Sequence, residues 1–141
     1  MTAKSVNSIV EEIVDAAYKI HFGLGPGLLE PVYEAVLAAD LARRGLAVAR
    51  QKSVSFEFDE MLFKDVLKVG FLVEGRVLVD VKSAPGAANT DPARIQTCLR
   101  LANLPLGLLL NFGAAKLKDG IQILANTFDC AGVAALQTKV A

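Results

Sequence analysis

The chain has 141 residues, enough for one domain with its own hydrophobic core and too few for two domains of ordinary size. Hydrophobic residues make up 53% of it, which excludes general disorder. Fifteen Lys and Arg residues balance fifteen Asp and Glu residues, so no bulk charge attracts nucleic acid or an anionic membrane. We therefore expect a single domain over 1–141, with 1–5 and 126–141 as candidate tails.

Two helices are predicted in the first third of the chain. Ser8 and Glu11 have the Ser-x-x-Glu spacing of a capping box, and apolar residues at helical spacing continue the first helix to about His21. A run of glycines then breaks the helix. A second helix over about 28–45 tolerates Pro31 in its first turn, because the amide that proline lacks would have no partner there.

The middle of the chain is predicted to form a β-meander of three strands, at about 47–57, 62–73 and 76–81. Glu74-Gly75 predicts a tight hairpin turn between the last two of these strands. After a Gly/Ala/Pro loop, the spacing of apolar residues predicts a third helix over about 95–102.

The uninterrupted apolar run at 104–111 is typical of a strand buried on both faces, and 121–124 can add an edge strand. The resulting order, ααβββαββ, predicts an α/β fold with a mixed β-sheet flanked by helices.

Candidate chemistry gathers at the end of the third predicted strand, because open α/β sheets place their sites at strand ends beside a crossover helix. In the segment 77–82, the alternation of a strand puts Asp80 and Lys82 on one face, roughly 7 Å apart along the backbone. A metal-assisted phosphodiester hydrolase uses carboxylates to hold Mg²⁺ and a lysine beside the reacting phosphate. The alternative is a simple ion pair at a strand end.

Gly27-Leu28-Leu29-Glu30-Pro31-Val32-Tyr33 fits the pattern G-x-x-E-x-x-Y. With the Asp80-Val81-Lys82 strand end and the Gly107-Leu108-Leu109-Leu110-Asn111-Phe112 run, the chain resembles the bacterial GxxExxY proteins from about residue 6 to residue 125. These proteins belong to the PD-(D/E)XK nuclease-like superfamily. The resemblance implies a restriction-endonuclease-like core and a role in nucleic-acid processing.

The resemblance also implies a set of site residues. Glu30, Asp80 and Lys82 would be catalytic, with Glu30 and Asp80 also as metal ligands. The remaining carboxylate of the family pattern falls on Gly70, and its crossover-helix glutamine falls on Arg94. Tyr33 is expected to pack with its hydroxyl at the pocket rim, so that Tyr33, Gly70 and Arg94 complete the pocket.

Gly70 and Arg94, which replace the carboxylate and the glutamine of the family pattern, predict a weak metal site. Glu30, Asp80, Lys82 and Arg94 sum to zero charge, whereas hard cations such as Mg²⁺ or Mn²⁺ are bound through anionic oxygens. Replacing Gly70 by Asp together with Arg94 by Gln is accordingly expected to restore part of the metal binding. Asp65 is a weaker candidate ligand, since in a regular strand it would face the other side.

Three further features have plainer explanations. Glu34, one turn beyond Glu30, is expected to be an exposed helical glutamate, with metal binding as the alternative. His21 is expected to cap the end of its helix rather than to act as a base. The basic residues of 43–52 (Arg43, Arg44, Arg50 and Lys52) indicate a solvated rim more than a nucleic-acid surface.

Two classes of function remain open from the sequence. The first is a catalytically weak or inactive nuclease-fold module that binds nucleic acid or protein, and the second is an active Mg²⁺-dependent nuclease. Residues 1–7 have no apolar signal core, and no stretch is long enough to span a bilayer, so a cytoplasmic location without membrane contact is expected. The surplus of apolar residues predicts a homo-oligomer, most simply a two-fold dimer.

Overall fold

The computed structural model describes residues 4–50, 53–68, 70–84 and 92–126. Its helices are α1 (Val6–Leu24), α2 (Glu30–Arg43) and α3 (Pro92–Ala102), with a short 3₁₀ helix at Leu117–Gly120. Its strands are β1 (Val48–Arg50), β2 (Ser53–Phe58), β3 (Met61–Lys68), β4 (Phe71–Val73), β5 (Val77–Lys82), β6 (Leu106–Asn111) and β7 (Ile121–Ala125). Within the described ranges, no helix combines the length and the apolar character that crossing a membrane requires.

A mixed sheet of five strands forms the centre, in the order β1-β4-β5-β6-β7. β5 and β6 are parallel, with Lys82 opposite Asn111, and every other neighbouring pair is antiparallel. The crossover from β5 to β6 contains α3, as the parallel pairing requires. This confirms the predicted α/β class and the mixed sheet flanked by helices.

Each face of the sheet is covered by helices. The larger core joins α1 and α2 to the sheet face that carries Val79, Val81 and Leu110. The smaller core joins α3, through Ile95, Cys98 and Leu99, to Leu78 and Leu109 on the opposite face. Since β5 and β6 are buried on both faces, their ends are fixed in position relative to both helical layers.

The first helix begins one turn earlier than predicted. Ser5, rather than Ser8, is the N-cap, and the Ser5 hydroxyl accepts a hydrogen bond from the Ser8 amide at 3.1 Å. The Ser-x-x-Glu pattern predicts Ser8 as the N-cap, which is wrong, because the Ser5 hydroxyl satisfies a free amide of the first turn without a glutamate partner. The second helix begins at Glu30 with Pro31 in its first turn, as expected.

The predicted three-stranded meander is divided into five shorter strands. β2 and β3 leave the main sheet and form a two-stranded sheet of their own, while β1 and β4 pair within the main sheet. The register of β2 and β3 is irregular between Val54 and Phe56, and Asp65 has a positive φ of 54°. The predicted turn at Glu74-Gly75 is confirmed, since both residues have positive φ and join β4 to β5.

The carboxyl ends of β5 and β6 are tied together by a buried side chain. Asn111 accepts hydrogen bonds through Oδ1 from the amides of Ala84 at 3.0 Å and Gly113 at 2.9 Å. Gly113 lies directly against the Ala84 backbone, where a Cβ atom would overlap it. These contacts hold the segment after Lys82 against the turn that follows β6.

Candidate functional site

Asp80 and Lys82 occupy the end of β5 and share one face, as the alternation of the strand predicts. Both side chains are partly buried and alternate with the buried Val79 and Val81. Lys82 Nζ lies 3.7 Å from Asp80 Oδ2, so the two form an ion pair. The carboxylate that a metal would need is therefore also the partner of the neighbouring ammonium group.

The loop before α2 brings Glu30 towards the same end of β5. The Ser83 hydroxyl, just beyond Lys82, donates a hydrogen bond to the carbonyl of Leu28 at 2.6 Å. Glu30 is exposed at the start of α2, two residues after this contact. The structure thus places the first turn of α2 at this end of β5 on the face of Val79 and Val81. Asp80 and Lys82 alternate onto the opposite face, which α3 covers, so Glu30 does not share their face of the sheet.

Tyr33 holds the loop before α2 through its hydroxyl group. Its ring is buried and stacks on Phe112, with ring centroids 4.6 Å apart and an angle of 6° between the planes. Its hydroxyl donates to the Gly25 carbonyl and accepts from the Leu28 amide at 3.2 Å. The prediction that Tyr33 packs with its hydroxyl satisfied is confirmed, and the hydroxyl holds both ends of the Gly25–Leu28 turn.

Glu34 is not the exposed glutamate that we expected. It is partly buried, and its Oε1 atom is enclosed without a hydrogen-bond partner among the described residues. Burial raises the pKa of Glu34, Arg50 opposes the rise, and the negative charges of Glu30 and Asp80 add to it. Glu34 therefore lies within electrostatic range of both Glu30 and Asp80, a position that the helical spacing alone does not indicate.

Arg94 lies on α3, the helix that packs on the sheet face shared by Leu78, Asp80 and Lys82. It is partly buried, one turn before the buried Cys98. Burial raises the pKa of the Cys98 thiol, Arg94 lowers it, and Asp80 raises it again. Arg94 and Asp80 thus act electrostatically on the same thiol, which places α3 beside the end of β5.

Gly70 lies beside Asp80 on the neighbouring strand segment, where the resemblance implied a missing carboxylate. A Cβ atom built on Gly70 would lie 2.6 Å from the carbonyl oxygen of Val79 and 3.6 Å from the Cα atom of Asp80. The obstacle is backbone, which cannot move aside as a flexible side chain can. A side chain at position 70 therefore requires the backbone to shift, which argues against the expectation that Gly70→Asp combined with Arg94→Gln restores metal binding.

The donor set does not form a site for Mg²⁺ or Mn²⁺. Among the described residues, no three His, Cys, Asp or Glu side chains gather closely enough to hold a metal ion. The three carboxylates of Glu30, Glu34 and Asp80 are matched by three cations, Lys82, Arg50 and Arg94, so the formal charge of the group is zero. Hard divalent cations need an excess of anionic oxygen that this arrangement lacks.

The structure also gives the positions of His21 and Asp65. His21 does not cap α1: its Nε2 atom donates to the carbonyl of Ala114 at 2.8 Å, and the Gly25 amide caps the helix by donating to the His21 carbonyl. Asp65 is exposed on the β2–β3 hairpin, where its amide donates to the Ser55 hydroxyl.

The candidate basic rim is largely used in ion pairs. Asp40 is buried and accepts from Lys19, Arg43 and Arg44, and Arg44 also contacts Glu12 and Asp15. Arg50 is exposed near Glu34, and Lys52 lies outside the described residues. The pairing favours the predicted solvated rim.

A small cleft of about 200 Å³ opens beside the site, between the Gly25–Leu28 turn and the ends of β5 and β6. It is lined by Pro26, Gly27, Ser83 and Gly113. Sites for whole small molecules usually have 300 Å³ or more, by the general range for ligand pockets. The cleft fits part of an extended ligand better than a whole cofactor.

An α/β core that carries an acid and a lysine at the end of a central strand is typical of nuclease-like proteins. The chain belongs to the PD-(D/E)XK nuclease superfamily, because a family model described by that name matches residues 7–124. No curated protein and no solved structure gives a significant match. The matched range includes Glu30, Asp80, Lys82, Arg94 and Gly70.

Proposed function

We propose that this chain is a cytoplasmic nuclease-fold protein of the GxxExxY type. It binds nucleic acid and does not catalyse metal-dependent cleavage. The observation that carries the proposal is the surroundings of Asp80. Gly70 offers no room for a second carboxylate beside it, and Lys82 is paired with the carboxylate that remains. Membership of the nuclease superfamily supports nucleic acid as the ligand.

The chemistry of the neutral group supports binding rather than hydrolysis. Lys82 and Arg94 are cations that can contact a phosphodiester, and a guanidinium can do so through two parallel hydrogen bonds. Without an ion to activate water and to neutralise the leaving oxygen, a phosphodiester held there lacks the main source of catalysis. The small cleft at 26–27, 83 and 113 is suited to a backbone segment of such a ligand.

The test measures binding and cleavage separately. Fluorescence anisotropy with labelled single- and double-stranded oligonucleotides, in buffer containing a chelator, should show binding that a Lys82→Ala, Arg94→Ala variant weakens at least tenfold. A Lys118→Ala variant, which removes one exposed charge from the 3₁₀ helix, is the matched control. Plasmid, single-stranded DNA and RNA should stay intact with Mg²⁺ or Mn²⁺. Metal-dependent cleavage abolished by Lys82→Ala would refute the proposal.

One observation favours a second candidate, an active metal-dependent nuclease. The enclosed Oε1 atom of Glu34 lacks a hydrogen-bond partner among the described residues and lies in electrostatic range of Glu30 and Asp80. Glu34 could in this case replace the lost carboxylate. Titration calorimetry with Mn²⁺ should then show binding that Glu34→Gln abolishes and that the exposed control Glu11→Gln leaves unchanged. Absence of Mn²⁺ binding to the wild type would remove this candidate.

A further inference from the structure

The larger core has an open edge beside β7, which is an edge strand of the five-stranded sheet. Ile123 of β7 pairs with Leu108 of β6, so its side chain lies on the sheet face that α1 and α2 cover. Leu108 is fully buried on that face, whereas Ile123 is 55% exposed. The described residues therefore leave a large aliphatic side chain uncovered on the core side of this strand.

α1 forms the other wall of this open edge. Glu12 lies on the flank of α1 that pairs with α2, through Arg44. Val14 and His21, two helical turns apart, lie on the opposite flank, where His21 donates to the carbonyl of Ala114 after β6. Since α1 packs over β5 and β6, this flank faces β7. We call the space between Val14 and Ile123 the α1–β7 groove.

The chain leaves the described fold at one end of the α1–β7 groove. Asn126 follows β7 directly, and its amide donates to the carbonyl of Pro105, just before β6, at 2.9 Å. The Asn126 side chain donates to two further carbonyls, at 3.2 and 3.0 Å. Arg76, just before β5, donates to the carbonyl of Lys4, just before α1. Because β5 and β6 are parallel, α1 begins at the end of the sheet where β7 ends.

The residues that follow Asn126, 127–141, lie outside the described ranges, but their sequence has a helical pattern. Val133, Leu136 and Val140 have the i, i+3, i+7 spacing of one helix face, and Thr138 falls on the opposite side. A helix over 133–141 would be about 14 Å long. The five residues of β7 extend over about 17 Å, so such a helix matches the length of the strand.

We propose that residues 127–141 turn back along β7 and occupy the α1–β7 groove as a helix, with Leu136 over Ile123. The segment starts from a fixed point at the open end of the groove, so its effective concentration there is high. A helix in this place completes the layer that α1 and α2 form on this face of the sheet. A second copy of the chain is the competing occupant, and it would have to associate from dilute solution.

Disulfide trapping in the full-length chain tests which side chain faces Ile123. The background carries Cys130→Ser, while Cys98 can stay because it is buried. Under mild oxidation, Ile123→Cys with Leu136→Cys should form an intrachain disulfide at least tenfold faster than the matched pair Ile123→Cys with Thr138→Cys. Mass spectrometry identifies the linked peptides. Equal rates for the two pairs would overturn the proposal, and a link between two chains without an intrachain link would assign the groove to a second copy.

Urea denaturation of the full-length chain tests the same contact without new cysteines. Leu136→Ala should increase the unfolding equilibrium constant about tenfold, and the control Thr138→Ala should change it less than about twofold. In a chain that already carries Ile123→Ala, the effect of Leu136→Ala should fall to about threefold, because the two side chains share a contact. An unchanged constant for Leu136→Ala, or an equal effect in both backgrounds, would contradict the docking of this segment.

Discussion

Tyr33 and Phe112 lie face to face beneath the candidate site, one from α2 and the other from the turn after β6. Their stacked rings join the helix that carries Glu30 and Glu34 to the end of the parallel strand pair. The Tyr33 hydroxyl extends this connection to Gly25 and Leu28. The buried Tyr33 side chain thus holds the Gly25–Leu28 turn together with the Ser83 hydroxyl, which donates to the Leu28 carbonyl.

Tyr33→Phe should separate the contribution of the hydroxyl to stability from that of the ring. The stack on Phe112 remains, but the Gly25 carbonyl and the Leu28 amide lose their partner, at a cost of about 1–2 kcal/mol. Urea denaturation measures this loss. Tyr18→Phe, at a residue 44% exposed on α1, is the control and should change the free energy of unfolding little. Equal effects of the two substitutions would contradict the role assigned to Tyr33.

Gly70→Ala and Gly70→Asp should both destabilise the protein. The added Cβ atom meets the Val79 carbonyl in each variant, and overpacking of this kind typically costs about 1–3 kcal/mol. Gly70→Asp with Arg94→Gln should still fail to bind Mn²⁺ in titration calorimetry. Gly23→Ala, in α1 with open space around it, should be neutral or stabilising. Mn²⁺ binding by the double variant would show that the strand can shift.

Asp40 should make the protein sensitive to acid. The hydrogen bond from Lys19, with those from Arg44 and Arg43, lowers the pKa of the buried Asp40 carboxyl from 3.8 to about 2. This stabilisation, about 2 kcal/mol, is complete above pH 3.8 and is lost as the pH falls to 2. Asp40→Asn should lack this part of the pH dependence of unfolding. Asp15→Asn, whose side chain is 73% exposed, should retain it.

Glu34 should have the opposite effect on stability. Burial raises its pKa above the ordinary value of 4.5, so the folded protein favours the protonated form. Ionisation therefore costs stability as the pH rises through that raised pKa, and the cost is absent below 4.5. Glu34→Gln should melt at a higher temperature than the wild type at neutral pH and at the same temperature in acid. A higher melting temperature at every pH would point to a cause other than charge.

The sequence was sufficient for the elements whose pattern is local. Helical spacing identified α1, α2 and α3, and the apolar run at 104–111 identified β6 as a strand buried on both faces. The Asp80–Lys82 pair followed from strand alternation alone. In each case the deciding information lies within a few residues of the chain.

Relationships between distant segments could not be obtained in this way. Glu34 follows Glu30 by one helical turn, but its burial depends on how α2 packs against β1 and β5. The backbone contact at Gly70 depends on the register of β4 and β5. The separation of the β2–β3 hairpin from the main sheet depends on partner choice among strands of similar composition, which no periodicity encodes.

The turn at the tip of the hairpin has a consequence for design. Asp59 and Glu60 both have positive φ, 51° and 64°, a geometry for which Asn-Gly is the preferred pair. A side chain in this conformation costs on the order of 1 kcal/mol relative to glycine. Asp59→Asn with Glu60→Gly should therefore strengthen the hairpin while removing both of its terminal charges. The native chain gives up local stability at this turn and retains an acidic tip.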